Sequence, residues 1–291
     1  MRKGTETVDR NMNRFSYRRH LKALLRGALT LPLLFLAGCG DGAPPAPPAL
    51  DELCSSAPNA RYLRIIGGIP CPNLESVVAR LELFDEEDNP VRCSGVVISP
   101  IKVLTAAHCV NEFIFRATVF VGGESREVVE FTPHPLFKDT GLKAPHDLGI
   151  ATLNAPLSFP APTVELGVAP TLNETIYTFG YGRTVVGDDA TRNETTLVGG
   201  TMVASSVSPD FIDAFYDGST ANVCRGDSGG PAYRFDAEFG SLVLIGLTSS
   251  GTNESCGPED TSTFTNLAEA SNREFLAQVA PEIGGLRSIR P

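Results

Sequence analysis

Short runs rich in β-branched and aromatic residues recur along the chain, and turn-forming residues separate them. Such runs predict β-strands, because these side chains suit a pleated surface that is buried on one face. The clearest runs cover residues 77–84, 95–98, 117–121, 175–182, 196–198 and 242–247. Only residues 266–280 place apolar side chains at near-helical spacing. The pattern therefore predicts an all-β protein that ends in one short helix.

The first 38 residues have a different character. They hold eight Lys or Arg against two acidic residues, and the apolar run Gly27 to Gly38 follows most of these charges. This arrangement is typical of a secretory signal peptide, and the run is too short to span a membrane as a stable helix. The sequence does not decide between Met1 and Met12 as the start.

The signal ends in Leu36-Ala37-Gly38-Cys39, which resembles the lipobox of bacterial lipoproteins. The resemblance implies that Cys39 is diacylated, becomes the mature N-terminus and anchors the protein to a membrane. Gly40 is not the aspartate associated with inner-membrane retention, so the outer membrane is favoured. An ordinary signal cleaved nearby is the alternative, and it would give a soluble, secreted protein.

Composition changes again after the signal. Residues 39–64 include the proline-rich stretch Ala43 to Ala49, which we expect to be an extended and unpacked spacer. Residues 65–291 are enough for one all-β unit and too few for a further domain. We therefore predict a signal peptide at 1–38, a linker and pro-segment at 39–64, and one domain at 65–291.

Charge narrows the possible partners. The whole chain carries a net charge of −10, and residues 65–291 hold 14 basic against 29 acidic residues. No basic stripe remains, which argues against nucleic-acid binding. The acidic surface either aids solubility or attracts cationic proteins, and that attraction would weaken as salt rises.

Three motifs carry candidate chemistry: Thr105-Ala106-Ala107-His108-Cys109, His146-Asp147-Leu148-Gly149-Ile150, and Cys224-Arg225-Gly226-Asp227-Ser228-Gly229-Gly230-Pro231. A serine hydroxyl becomes a good nucleophile when an imidazole takes its proton and a carboxylate orients that imidazole. The order His, Asp, Ser resembles that of the trypsin/chymotrypsin family of serine peptidases, and it differs from that of subtilisins and α/β-hydrolases.

The resemblance implies roles for these residues and a fold. His108 would be the general base, Asp147 the orienting acid and Ser228 the nucleophile that forms an acyl-enzyme. The main-chain N–H groups of Gly226 and Ser228 would form the oxyanion hole. The implied fold is two packed six-stranded antiparallel Greek-key barrels with a short C-terminal helix. The implied function is a serine endopeptidase that acts on proteins or peptides without a cofactor, and we expect it to be a monomer.

A protein that keeps the protease fold for binding or adhesion, without turnover, is the alternative from another class. The intact set of motifs argues against it.

A further motif concerns activation. Arg64-Ile65-Ile66-Gly67-Gly68 resembles the family's activation site. The resemblance implies that cleavage after Arg64 frees the ammonium of Ile65, which pairs with the Asp227 carboxylate and orders the oxyanion loop. A buried carboxylate alone is costly, and proteolysis would supply its partner on demand. We therefore expect a zymogen.

The seven cysteines of the chain leave one over if an exported domain is fully oxidised. Lipidation of Cys39 would account for it. The resemblance implies two of the disulfides, Cys93 with Cys109 and Cys224 with Cys256. Cys54 and Cys71 remain to pair with each other, and their bridge would keep the cleaved pro-segment attached. No ligand spacing typical of a metal site occurs.

The specificity pocket is the last prediction. By resemblance, Asn222 lies at its floor, and its walls come from four residues: Ser249, Ser250, Gly251 and Ser262. An amide cannot neutralise a buried Arg or Lys side chain, so we predict a small or medium uncharged residue before the cleaved bond. Glu254 or Asp260 entering the pocket would overturn this. An enzyme with this preference would need a separate Arg-cleaving protease as its activator.

Overall fold

The computed structural model describes residues 45–54, 65–71, 76–141, 143–158, 164–187, 195–281 and 283. The predictions for residues 1–38, for Cys39 and for Arg64 fall outside these residues. Within them, the helices are too short or too polar to cross a membrane.

Strands dominate the described part of the chain. The strands are β1 Ile69–Pro70, β2 Val78–Phe84, β3 Pro90–Ser99, β4 Lys102–Thr105, β5 Arg116–Val121, β6 Glu124–Pro133, β7 Gly149–Leu153, β8 Thr175–Gly180, β9 Val198–Val207, β10 Phe211–Tyr216, β11 Pro231–Asp236, β12 Ser241–Gly251 and β13 Asp260–Asn266. The α-helices are α1 Leu50–Leu53 and α2 Ala270–Val279.

Strands β2 to β7 close into the first antiparallel barrel, in the order β2-β3-β4-β7-β6-β5. Its interior is filled by apolar side chains that alternate along the strands, among them Leu81, Leu83 and Val119, all fully buried. Alternation places every second side chain inside, so this apolar pattern favours a barrel that is filled rather than hollow.

Strands β8 to β13 form the second barrel, because β9 pairs with both β8 and β10 and closes the ring, and β1 adds to the edge of β9. Ile176, Ile212 and Phe264 lie at its centre and are fully buried. The predicted fold of two six-stranded antiparallel barrels is thereby confirmed.

Helix α2 packs where the two barrels meet. Phe275 and Leu276 join a buried cluster with Leu104 from the first barrel and Leu244 from the second. The helix is shorter than the predicted 266–280, because Asn266 still belongs to β13. Glu269 caps it by accepting a hydrogen bond from the Asn272 main-chain N–H at 2.8 Å.

The segment before the cleavage motif packs on the second barrel. The Tyr177 hydroxyl donates to the Pro48 carbonyl at 2.8 Å, and Leu50 lies against the buried cluster that contains Tyr177 and Phe179. The expectation of a wholly unpacked spacer is therefore wrong for this part, because Leu50 offers an apolar side chain that the barrel surface accommodates.

The three expected disulfides are present. They join Cys54 to Cys71, Cys93 to Cys109, and Cys224 to Cys256. The first ties the predicted pro-segment to Cys71, which directly follows β1.

Candidate active site

His108 lies in a single 3-10 turn, Ala107–Cys109, directly after β4. The disulfide between Cys93 and Cys109 holds this turn against β3. The His108 side chain is 31% exposed, so it is fixed at its base and open to solvent at its tip. Although the two sulfurs lie close to the imidazole, they are bonded to each other and provide no thiolate for a metal.

Asp147 lies just before β7 and is 1% exposed. Its carboxylate accepts hydrogen bonds from the His108 main-chain N–H at 2.9 Å and from His108 Nδ1 at 2.8 Å. The Ser249 hydroxyl donates to the same carboxylate at 2.7 Å. Because a carboxylate can only accept, His108 Nδ1 carries a proton, and Nε2 is the atom left to act as a base.

The pKa of His108 is raised above its ordinary value. Burial lowers the pKa, but the hydrogen bond from Nδ1 and the charge of Asp147 raise it by more, and the charge of Asp139 adds to this. The net effect stabilises the imidazolium that a general base becomes once it has taken a proton.

Ser228 is held in a tight turn before β11. Gly226 has φ 98°, a conformation that favours glycine. Ser94 supports the turn twice, because its hydroxyl donates to the Gly226 carbonyl at 2.9 Å and its main-chain N–H donates to the Ser228 carbonyl at 2.8 Å. Among the described residues, no hydrogen bond joins the Ser228 hydroxyl to His108; such bonds often tighten only when substrate is bound.

Asp227, next to Ser228, is fully buried. Its carboxylate accepts hydrogen bonds from the main-chain N–H groups of Gly182 at 2.8 Å and Cys224 at 2.9 Å. A Cβ on Gly182 would come within 2.5 Å of this carboxylate, so only glycine permits the approach. Burial raises the pKa of Asp227 to about 7, although both N–H donors lower it. No cation contacts Asp227 within the part of the chain that the structure describes.

The other half of the activation motif lies in the second barrel. Ile65 is fully buried in the core cluster of this barrel. Ile66 exchanges main-chain hydrogen bonds with Asn222, at 3.1 Å and 2.9 Å. The residues that follow the predicted cleavage point are therefore packed in place in the single chain.

A pocket of about 260 Å³ opens beside Ser228. Its lining comprises Val223, Cys224, Arg225, Ser228, Thr248, Ser249, Ser250, Gly251, Asn253, Glu254 and Cys256. Three of the four predicted wall residues are in this set. Glu254 lies 3.7 Å from the Arg225 guanidinium, and both side chains are largely exposed. The pocket mouth thus carries one charge of each sign.

Asn222, predicted at the pocket floor, and Ser262, predicted in a wall, are neighbours. Both are fully buried, and neither belongs to the pocket lining. The Ser262 hydroxyl donates to Asn222 Oδ1 at 2.7 Å, and Asn222 Nδ2 donates to the Cys256 carbonyl at 3.1 Å. Asn222 therefore contacts the lining residue Cys256 from the interior of the protein. The polar groups of both side chains have hydrogen-bond partners inside the protein.

Asp260 is the acid nearest to this network, and it is fully buried. One carboxylate oxygen accepts from Asn222 Nδ2 at 2.9 Å. The other accepts from the Thr252 and Asn253 main-chain N–H groups, each at 2.8 Å, and from the Thr252 hydroxyl at 3.0 Å. These donors hold the segment that forms one wall of the pocket.

Several supporting residues were not found from the sequence. Ser94 supports the nucleophile's turn, and the Thr265 hydroxyl donates to the Asp147 carbonyl at 3.0 Å. Both are buried in strands that are distant in sequence from the residues they support. The only available signal was a polar residue at a position where the strand pattern requires an inward side chain.

Comparison with known proteins agrees with this geometry. The profile of the family described as Trypsin matches residues 65–272. The chain is 26% identical to human kallikrein-2 over 249 residues, which covers 75% of this chain and 91% of that protein. It is 28% identical to a glandular kallikrein from Sus scrofa over 198 residues, which covers 58% of this chain and 79% of that protein.

Proposed function

Because the chain belongs to the trypsin family of serine proteases, we propose that it is an exported endopeptidase that cleaves proteins or peptides through Ser228, His108 and Asp147. The observation that carries this proposal is the contact between the buried Asp147 carboxylate and His108 Nδ1 at 2.8 Å. It leaves Nε2 of the imidazole free to accept a proton. Ser228 helps to line the pocket in which the substrate side chain would lie.

The proposed reaction has two halves. In the first, Ser228 Oγ attacks the substrate carbonyl carbon, and its proton passes to His108 Nε2. The carbonyl oxygen becomes an oxyanion that accepts hydrogen bonds from the Gly226 and Ser228 main-chain N–H groups. The intermediate collapses, the C–N bond breaks, and His108 gives its proton to the leaving amine.

In the second half, water attacks the acyl-enzyme and gives a proton to His108. Collapse of the second intermediate breaks the bond to Ser228 Oγ and returns the proton to this oxygen. Asp147 stays ionised throughout and stabilises the imidazolium. The raised pKa of His108 implies that activity falls as pH drops below the range in which the free imidazole is neutral.

We propose that the protein is made as a zymogen that is activated by cleavage between Arg64 and Ile65. Asp227 supports this proposal, because it is a buried carboxylate whose contacts within the described residues are two N–H dipoles and no full positive charge. A new ammonium at Ile65 would provide that charge and make the ionised form of Asp227 favourable. Ile65 is already buried in the core cluster of the second barrel, and Ile66 is bonded to Asn222.

The proposed preference before the cleaved bond is a small or medium uncharged side chain. Asn222 carries no charge, and the carboxylate of Asp260 is offset by donors from Asn222, Thr252 and Asn253. A Lys or Arg side chain in the pocket would therefore lose its hydration without gaining a free carboxylate.

Matched peptide substrates that differ only in this residue test the preference. Faster cleavage after Ala or Leu than after Lys or Arg is expected. Dominant cleavage after Lys or Arg that is lost in Asp260→Asn would show that the buried carboxylate selects for a cation, and would overturn the proposal.

Activation follows from this preference. An enzyme that cleaves poorly after Arg would not process its own Arg64, so a separate Arg-cleaving protease is the proposed activator. Incubation of concentrated, purified zymogen tests this. New chains that begin at Ile65, formed by the wild type and not by Ser228→Ala, would refute it.

We also propose that the protein is exported and anchored through a lipid on Cys39, with the outer membrane favoured. The three disulfides support export, because they persist in oxidising compartments. A lipid-sized mass increase on the N-terminal peptide is expected. An unmodified N-terminus would instead indicate a soluble secreted enzyme.

Labelling with a fluorophosphonate tests the function as a whole. The probe is applied to the exported protein before and after limited cleavage at Arg64, and the labelled peptide is identified by mass spectrometry. Label on Ser228 that appears once Ile65 is the new N-terminus is expected. No label after correct cleavage would refute the enzyme and favour a binding protein with a protease fold.

A further inference from the structure

We propose that His146 is a positioning residue for catalysis, because it ties the turn that carries Asp147 to the N-terminus of helix α2. The proposal rests on the proposed function and adds a dependence of the triad on the C-terminal helix. Asp147 contacts His108 directly, whereas His146 acts through the main chain of its neighbour.

The main chain at His146 is the first observation. His146 has φ 59°, in the left-handed region that only a few per cent of residues other than glycine adopt, with Asn, Asp and His doing so more often than the rest. The Leu148 main-chain N–H donates to the His146 carbonyl at 2.8 Å, so the chain bends tightly around Asp147. Such a conformation persists only where the surrounding structure holds it.

The His146 side chain provides one such contact. Its Nδ1 lies 2.8 Å from Asn272 Oδ1 and 3.7 Å from the Glu269 carboxylate. Asn272 Nδ2 donates to the Asn266 carbonyl at 2.9 Å, which directs the amide oxygen toward the imidazole. His146 Nδ1 is therefore the donor, and the first turn of α2 accepts from it.

A second imidazole completes the link. The rings of His134 and His146 stack with centroids 4.7 Å apart and an angle of 11° between their planes. His134 Nδ1 accepts from the Leu136 main-chain N–H at 3.1 Å, and its Nε2 lies 3.2 Å from the Ser271 carbonyl. Both ring nitrogens of a neutral His134 therefore have a hydrogen-bond partner, and the contact with Ser271 ties His134 to the same helix.

The charges around the pair agree with this role. The pKa of His134 is lowered, first by burial and then by the neighbouring His146, against the opposing effects of Ser271 and Glu269. Glu269 is the acid that α2 turns toward the pair, and its pKa is lowered although burial raises it. Asp147 directs its carboxylate to His108 instead. His134 therefore stacks as a neutral ring beside one fixed negative charge.

Two substitutions at His146 separate the main chain from the side chain. His146→Gly permits the left-handed main chain and removes the contact with Asn272. His146→Asn tolerates the same main chain and keeps an N–H donor for Asn272. Glu274→Ala is the matched control, because Glu274 is an exposed residue on α2. Each variant is cleaved at Arg64, and its active sites are counted with the fluorophosphonate.

We expect His146→Gly to lower kcat by about 10- to 100-fold with little change in KM, since small displacements of a catalytic group have effects of this size. The acid limb of kcat/KM should also move to lower pH, because His108 loses part of the contact that raises its pKa. His146→Asn should recover most of kcat, and Glu274→Ala should match the wild type.

A purely structural role would give a different result. If His146→Gly lowers the melting temperature but leaves kcat and the pH profile of the counted sites unchanged, the proposal is wrong. Asn272→Ala removes the acceptor and keeps His146, so it should also lower kcat and move the acid limb of kcat/KM to lower pH. It replaces His146→Gly in the test if that variant does not fold. A wild type that shows no turnover after cleavage would refute the proposed function, and this proposal with it.

Discussion

Asp147 and Asp227 are both buried carboxylates next to candidate catalytic residues, and their surroundings differ. Asp147 accepts from His108 twice and from Ser249, and its imidazole partner can carry a full positive charge. Among the described residues, Asp227 accepts from two main-chain N–H groups alone, and burial raises its pKa to about 7. This part of the uncut chain therefore gives Asp147 a partner that can become a cation and gives Asp227 none. Under the proposed activation, proteolysis would complete the second site without disturbing the first.

The largest loss of activity is expected when the Asp147 side chain can no longer accept a hydrogen bond from His108 Nδ1. In Asp147→Asn, the amide nitrogen cannot accept from His108 Nδ1, and the imidazole adopts the wrong tautomer. We expect kcat of the cleaved enzyme to fall by about 10⁴-fold. Steady-state kinetics with active-site counting measures this.

Asp139→Asn is the matched control, because Asp139 is exposed and affects His108 only through its charge. The kcat of this variant should be close to that of the wild type. Equal losses in the two variants would contradict the distinct role assigned to Asp147.

A smaller effect is expected at Asp227, and it should appear only after cleavage. In Asp227→Asn, the ammonium of Ile65 has no carboxylate to pair with, so the oxyanion turn is not held. We expect kcat to fall by about 10²- to 10³-fold, the range for loss of one oxyanion donor. Single-turnover labelling of Ser228 before and after cleavage measures this.

Asp217→Asn, at an exposed acid in the same barrel, is the control and should activate normally. An Asp227→Asn enzyme that activates as well as the wild type would argue against the ion pair.

The smallest effect concerns stability and pH in the uncut chain. The pKa of Asp227 is raised on folding. Its contribution to the free energy of unfolding is therefore fully present at low pH and is lost as pH rises from about 4 through about 7. The free energy of unfolding should fall by about 2–3 kcal/mol between pH 5 and pH 8 because of this group.

Urea unfolding of uncut wild type and uncut Asp227→Asn across this range isolates the contribution. The decline should be weaker in the variant. Parallel curves would mean that Asp227 is not the group responsible.

Local motifs allowed much of the fold and site to be predicted. The runs that became β2 and β5 alternate in residue type, and those that became β8 and β12 are nearly continuous buried runs. The segments around His108, Asp147 and Ser228 each place a candidate catalytic side chain in or beside a tight turn. Contacts between distant segments were not predictable in this way. The bond from Ser249 to Asp147 joins residues 102 positions apart, and the stack of His134 on His146 depends on where α2 begins.

Some contacts are revealed only by packing. Asn222 lies behind the pocket lining, where Asp260, Ser262 and Cys256 provide hydrogen-bond partners for its amide. The proline-rich segment was expected to be unpacked, but Tyr177 has a hydroxyl that needs an acceptor and finds it at Pro48. A sequence lists such groups without showing which of them meet.

The disulfide between Cys54 and Cys71 has a practical consequence for anyone who follows activation. A cut after Arg64 would leave both pieces in one covalent molecule, whose mass increases only by that of one water. Non-reducing electrophoresis and size-exclusion chromatography would then give the same result before and after the cut. An affinity tag placed upstream would purify both forms together, so a reducing gel or N-terminal sequencing is needed to tell them apart.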